Sequence, residues 1–155
     1  DDITVDDWDK TLRANLTSAM FGAKYQLPEI AKRGGGSVIF TSTFVGHTIG
    51  MPGMTAYAAS KMGLLGMAQC LAVEHGAANI RVNALVPGGT DTPMAASFTS
   101  DPETRAMVEK FHALGRIADP SEIAKAALFL ASDASSFVTG SAMLVDGGTS
   151  ICKAA

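Results

Sequence analysis

Cysteine is almost missing from this chain: its 155 residues include two, Cys70 and Cys152, and neither has a CxxC partner. Two isolated thiols build neither a metal site nor a disulfide framework. Cys70 stands among apolar residues of a helical stretch, so it reads as a buried, inert thiol, and the sparse usage suits a reducing cytoplasm. Positive charge is scarce too. Lys and Arg number 12 against 15 Asp and Glu, giving a net charge of −3 with no basic cluster. Such a surface offers no field for a nucleic-acid backbone, and no nucleic acid is expected as a partner. Long apolar runs are absent as well. The longest, around Ala126 to Ala131, falls far short of the ~20 residues that cross a bilayer, so no membrane association is expected. The acidic start, Asp1-Asp2-Ile3, lacks the basic opening of a signal peptide. Aromatic residues make up 6% of the chain and hydrophobic residues 47%, enough apolar matter for one buried core.

What is present reads as alternating helices and strands. Thr4 is placed to cap a helix, with Asp7 in its acidic first turn. Trp8, Leu12, Leu16, Ala19, Ala23, Leu27 and Ile30 then recur at three- and four-residue steps as one apolar stripe. Pro28 predicts a late kink, and Gly34-Gly35-Gly36 a stop. Ser37 to Ser42 is short, β-branched and uninterrupted, the pattern of a strand buried on both faces. A loop punctuated by glycine and proline, from Gly46 to Gly53, leads into a second helix from about Thr55 to Glu74. Ile80 to Val86 is another buried strand, ended by Pro87-Gly88-Gly89. Asp101-Pro102 and Asp119-Pro120 each set a capping carboxylate before a proline at the first helical position, so each opens a helix. Ala142 to Val145 is a last strand before Asp146-Gly147-Gly148. Strands separated by helices give a parallel sheet with right-handed crossovers. The predicted fold is α/β, about three strands with flanking helices, in one domain over residues 1–155. Three strands make a thin sheet, with an edge missing or covered.

Tyr57 and Lys61 stand four residues apart, on one face of the second helix. A phenol with a pKa near ~10 is a poor acid or base at neutral pH. An ammonium beside it favours the phenolate and brings it toward general acid/base work. The same spacing also arises by chance, as a packed ring with a solvated lysine nearby. Ala58-Ala59-Ser60 between the pair, then Gly63 and Gly66, are small enough for a backbone or a flat ligand to approach. Ser42 and Thr43 close a predicted strand, where open α/β sheets place their ligand crevice, and either hydroxyl can bond a substrate oxygen. Asn15 lies on or beside the apolar stripe, where an amide is costly unless bonded, and reads first as a satisfied core amide. His47, His75 and His112 are scattered without ligand spacing; they read as surface or loop residues, and no metal site is expected.

At this point four ordered motifs resemble those of the short-chain dehydrogenase/reductase family, in its C-terminal catalytic part. They are Tyr57-Ala58-Ala59-Ser60-Lys61; Ile80 through Gly89; Arg116 through Asp119-Pro120-Ser121-Glu122-Ile123-Ala124; and Thr139-Gly140 leading to Val145-Asp146-Gly147-Gly148. Asn15 fits the family's helix asparagine. The resemblance implies the C-terminal half of a doubly wound parallel Rossmann-type sheet and an oxidoreductase that moves hydride between NAD or NADP and a carbonyl or secondary alcohol. By that resemblance Tyr57 exchanges a proton with the substrate oxygen, Lys61 acidifies Tyr57 and reaches the nicotinamide ribose, and Asn15 helps hold a water on a proton relay. A hydroxyl polarises the substrate oxygen; counting back from Gly46 favours Thr43, with Ser42 second. Pro87 to Thr92 would line the nicotinamide, including Gly88, with Thr90 and Thr92 near its carboxamide. Residues 94–112 resemble the family's mobile substrate lid, and Met51, Met54 and Met94 could line a pocket, although core filling is the plainer reading. Family members associate through the two long helices, so a homo-oligomer is expected.

The family's glycine-rich phosphate turn, its cofactor selector and its Asn-Ala-Gly stretch have no counterpart here. Gly34-Gly35-Gly36 precedes a strand rather than joining strand to helix, so it is a stop and not a phosphate cradle. At ~30 or more residues per βαβ unit, about a hundred N-terminal residues are expected to be absent, and the choice between NAD and NADP stays open. The alternative expectation is a truncated, non-catalytic fragment that self-associates. Residues 1–155 alone should therefore show no saturable quenching of Trp8 fluorescence on titration with NADH or NADPH. A tight, saturating signal would overturn that expectation.

Overall fold

A computed structural model describes residues 2–96 and 99–152. The first helical stretch has three parts: α1 (Val5–Leu12), a π-helical turn (Arg13–Thr17) and α2 (Ser18–Lys32). Thr4 caps it as expected, its hydroxyl oxygen accepting the Asp7 N–H at 3.1 Å. The π turn is not foreseen by the apolar stripe, because one wider turn leaves the helical spacing nearly intact. Pro28 sits inside α2, which nevertheless continues to Lys32. The stop at Gly34 and Gly35 is as predicted, with φ of +88° and +122°. A side chain at Gly35 would sit 2.3 Å from the Asn79 carbonyl, so glycine is needed for space as well as for conformation.

Strands β1 (Gly36–Thr41), β2 (Ile80–Pro87) and β3 (Ala142–Val145) form one parallel sheet in the order β1-β2-β3. The helix α3 (Thr55–His75) joins β1 to β2; α4 (Pro93–Ala96), α5 (Pro102–Lys110) and α6 (Pro120–Ala131) lie between β2 and β3. Val38, Phe40, Val82 and Ala84 pack with Ala23 and Leu27 of α2 and Leu64 and Ala68 of α3 into one core. α6 contacts β1 and β2, with Ser37 and Arg81 both bonding the Leu130 carbonyl. The sheet is thus layered by helices in the manner of a Rossmann-like α/β fold. Strand β2 is buried along both faces, as read from its sequence. β1 corrects the reading: Val38 and Phe40 are buried, but Ile39 and Ser37 are only half-buried. Among the described residues β1 is a sheet edge, so its second face has less cover.

Cys70 also departs from expectation, being exposed on α3. The buried row of that helix runs through Ala56, Ser60, Leu64, Ala68 and Ala72, and position 70 falls on its far side. Among the described residues no helix is long and apolar enough to cross a membrane.

Polar groups then fasten the far ends of the chain to the sheet. Asn83, fully buried, donates to the Val138 carbonyl at 2.8 Å and accepts the Ser141 N–H at 3.0 Å, strapping the approach to β3 against β2. α6 starts with the predicted Asp119 cap, now a reciprocal box with Glu122. Arg116 grips Glu122 at 2.7 and 2.8 Å and, with the Asp119 N–H, holds its carboxyl down to about 2. Because the folded value lies below the ordinary carboxylate range, this contribution is present above that range and lost as the pH falls toward 2. Glu122→Gln should flatten that part of an acid-unfolding curve only slightly, and less at high salt, since the pair is exposed. Asn83→Ala should cost about 1 to 3 kcal/mol in urea unfolding, because it removes both bonds of a buried amide and strands the half-buried Ser141 N–H and Val138 carbonyl. An unfolding midpoint equal to wild type would refute the strap.

Candidate active site

The row of small residues buried on α3 fixes which way its chemistry points. Ala56, Ser60 and Leu64 face the core, so Tyr57 and Lys61, one position further on, form the adjoining row and remain half-buried. Gly63 lets the π turn come close: a side chain there would lie 2.7 Å from Leu16 Cδ2. Gly46 does the same for the loop after β1, where a Cβ would meet Ala58 Cβ at 2.8 Å.

The Lys61 ammonium lies 5.9 Å from the centre of the Tyr57 ring and donates to the Thr41 carbonyl at 2.9 Å. The two side chains are therefore on one side of the helix, beside the C-terminal end of β1. Partial burial pushes the Lys61 pKa down from its ordinary value. The remaining N–H donors of Lys61 are suited to hydroxyl oxygens of a sugar.

Ser42 and Thr43 are both buried, but their hydroxyls have different partners. Ser42 donates to the Lys61 carbonyl at 2.8 Å, stitching β1 to α3. The Thr43 oxygen accepts the Val45 N–H at 3.3 Å, which leaves its hydroxyl proton available. The two hydroxyls therefore differ in what each already bonds, Ser42 as a donor and Thr43 as an acceptor.

Asn15 sits in the π turn and donates to Ser60 Oγ at 3.1 Å, and Ser60 in turn donates to the Tyr57 carbonyl at 2.7 Å. One amide N–H is thus bonded within the protein, while the residue is half-buried and not part of the core that the sequence reading assigned it to. Ser60 is fully buried and bonded on both sides, a role that its small size in the sequence does not disclose. Its signal was its place between Tyr57 and Lys61, opposite a helix amide.

After β2 the turn reverses over glycine. Gly88 donates to the Val145 carbonyl at 3.0 Å, Thr90 donates to the Gly88 carbonyl at 3.1 Å, and Thr92 accepts the Ala95 N–H at 3.2 Å to start α4. Pro87, Gly88, Thr90 and Thr92 lie together at the carboxyl ends of β2 and β3, where this class of sheet binds ligands. Arg105 of α5 reaches back to Asp91 at 3.0 Å. Met94 and Met107 are exposed on the two helices of the expected lid, and residues 97 and 98 lie outside the described residues. His47 is exposed and His75 half-buried, but His112, read as surface or loop, is buried against Gly89. No metal-binding cluster occurs among the described residues. Asp146, just after β3, is held by its own turn: burial pushes its carboxyl up, but the hydroxyl and N–H of Ser150 and the N–H of Gly148 outweigh this and hold it below its ordinary value.

The sequence profile of the family described as enoyl-(acyl carrier protein) reductase matches residues 1–150. The chain is 35% identical to cyclohexanol dehydrogenase of Acinetobacter sp. strain SE19, over 95% of its own length and 56% of that enzyme's. It is 41% identical to the 3-oxoacyl-[acyl-carrier-protein] reductase FabG of Thermotoga maritima, over 92% and 57%. A solved short chain dehydrogenase/reductase family protein superposes with a TM-score of 0.85 at 35% identity, over 94% of this chain and 59% of its own. The chain thus spans less than two thirds of the length of the relatives it matches. With profile, sequence identity and superposition in agreement along almost its full length, this chain belongs to the short-chain dehydrogenase/reductase family of oxidoreductases.

Proposed function

We propose that the full-length protein reduces a carbonyl, or oxidises a secondary alcohol, with Tyr57 as general acid/base. The observation that carries this reading is the shared placement of the Tyr57 ring and the Lys61 ammonium, 5.9 Å apart, beside the end of β1. Relatives named for cyclohexanol oxidation and for 3-oxoacyl reduction support both directions of one reaction.

NAD or NADP, when bound, would give or take the hydride. The residues here suit only its nicotinamide-ribose end: Lys61 with donors to spare, the Tyr57 hydroxyl, and the turn from Pro87 through Gly88 and Thr90 to Thr92. In reduction, Tyr57 hands its proton to the substrate oxygen as that oxygen gains negative charge. In oxidation it takes the alcohol proton. Lys61 stabilises the phenolate left behind, and an ammonium half withdrawn from water does so more strongly than a solvated one. Thr43 donates its hydroxyl to the same substrate oxygen. Ser42, committed to the Lys61 carbonyl, holds the helix in register instead. Asn15 braces the Tyr57 backbone through Ser60, and a relay water beside it would connect Lys61 to solvent for the proton. Exposed Phe21, Tyr25 and Val73 on the outer sides of α2 and α3 support self-association into a homo-oligomer.

In the full-length protein, Tyr57→Phe should lower kcat about a thousandfold with cofactor affinity almost unchanged, as expected for loss of a proton donor. Turnover that persists in this variant would remove Tyr57 from the reaction. Thr43→Val should lower kcat about 100-fold, with about 1 kcal/mol of stability lost because the Val45 N–H loses its acceptor. Ser42→Ala should cost about 1 kcal/mol of stability with a smaller effect on kcat. If Ser42→Ala is the variant that loses turnover while Thr43→Val does not, the two roles are exchanged.

A further inference from the structure

We infer that His112 is a positioning residue, which locks the peptide plane between Gly88 and Gly89 and so sets the turn facing the nicotinamide. The inference rests on the proposal that Pro87 to Thr92 lines that end of the cofactor.

Both glycines are required by space. A Cβ at Gly88 would lie 2.6 Å from Asp146 Cα, and one at Gly89 would lie 2.8 Å from His112 Cε1. The tight join between the ends of β2 and β3 therefore forces two adjacent residues without side chains. A peptide unit between two glycines has the weakest intrinsic hold on its orientation, since neither neighbour restricts φ and ψ sterically. A turn that must present fixed backbone groups to a ligand needs that freedom removed.

Two contacts remove it. The carbonyl of this peptide unit, on Gly88, accepts the Thr90 hydroxyl at 3.1 Å, and its N–H, on Gly89, donates to His112 Nε2 at 3.0 Å. Because Nε2 accepts, the ring carries its proton on Nδ1, which meets the Val108 carbonyl at 2.9 Å in the last turn of α5. One neutral tautomer satisfies both bonds. The ring is 4% exposed and wedged between glycines, since a Cβ at Gly147 would stand 3.4 Å from its Cδ2. With both nitrogens engaged and no access to solvent, the ring is placed to orient the turn rather than to move protons or bind metal. It also connects α5 to that turn, alongside the Arg105–Asp91 pair.

The test uses the full-length protein and two ligands. One is NADH or NADPH, whichever wild type binds more tightly; the other is the matching ADP-ribose or its 2′-phosphate, which lacks nicotinamide. His112→Met keeps the bulk of the ring and removes both bonds. It should weaken dinucleotide binding about tenfold and leave ADP-ribose binding within about twofold of wild type. His112→Gln, whose amide oxygen can accept the Gly89 N–H, should restore most of the loss. Equal weakening of both ligands, no weakening of either, or no rescue by glutamine would overturn the assignment. If His112→Met does not fold, His112→Leu, which likewise offers the Gly89 N–H no acceptor, should show the same selective loss; an unselective loss again overturns it. Tyr57→Phe in parallel separates the two ideas. Retained turnover there removes the underlying reading, whereas lost turnover with unselective His112 variants removes only the role of His112.

Discussion

The close seating of α3 on the sheet is the constraint from which the rest follows. Ala56, Ser60, Leu64, Ala68 and Ala72 form one buried row at four-residue spacing, four of them small enough to bring the helix axis near β1 and β2. Once that row is buried, the neighbouring row has no rotational freedom. Tyr57 and Lys61 occupy it at the N-terminal end, where α3 passes the carboxyl end of β1. Their proximity is a by-product of packing, and it does not have to be stabilised by any attraction between them.

Polar contacts finish what packing begins. Ser42 bonds the Lys61 carbonyl and Lys61 bonds the Thr41 carbonyl, so strand and helix are stitched in both directions around the same residue. The π turn holding Asn15 is clamped to the helix through Ser60, while Gly63 makes room for Leu16. After β2, Gly88 and Gly89 press against Asp146 at the end of β3 and against His112. Each close approach uses the absence of a side chain on one partner, and each leaves backbone groups that a neighbouring hydroxyl, amide or imidazole then satisfies.

Much of this was legible beforehand. Helix starts at Thr4, Asp101 and Asp119 were readable because an N-cap is a local bond between residues two or three apart. The Tyr57–Lys61 pair was readable because helical periodicity alone places positions four apart on one face. The burial of Cys70 was misjudged because an all-apolar neighbourhood carries no phase: α3 is apolar nearly all round, and only its packing says which row goes inside. The edge character of β1 escaped for a related reason, since a β-branched run states that a strand exists but not what covers each face.

Local pattern was enough for the order of the main helices and strands, the caps, the glycine stops and the shared helical face of Tyr57 and Lys61, all consequences of contacts spanning at most a few residues. Tertiary structure alone decided which hydroxyl is free, Thr43 rather than Ser42, because that depends on a carbonyl 19 positions away. It also brought Asn15 to Ser60 across 45 positions and His112 to Gly89 across 23. Hydrogen bonds of that range exist only after the sheet has gathered distant segments at its carboxyl edge, and no local pattern encodes them.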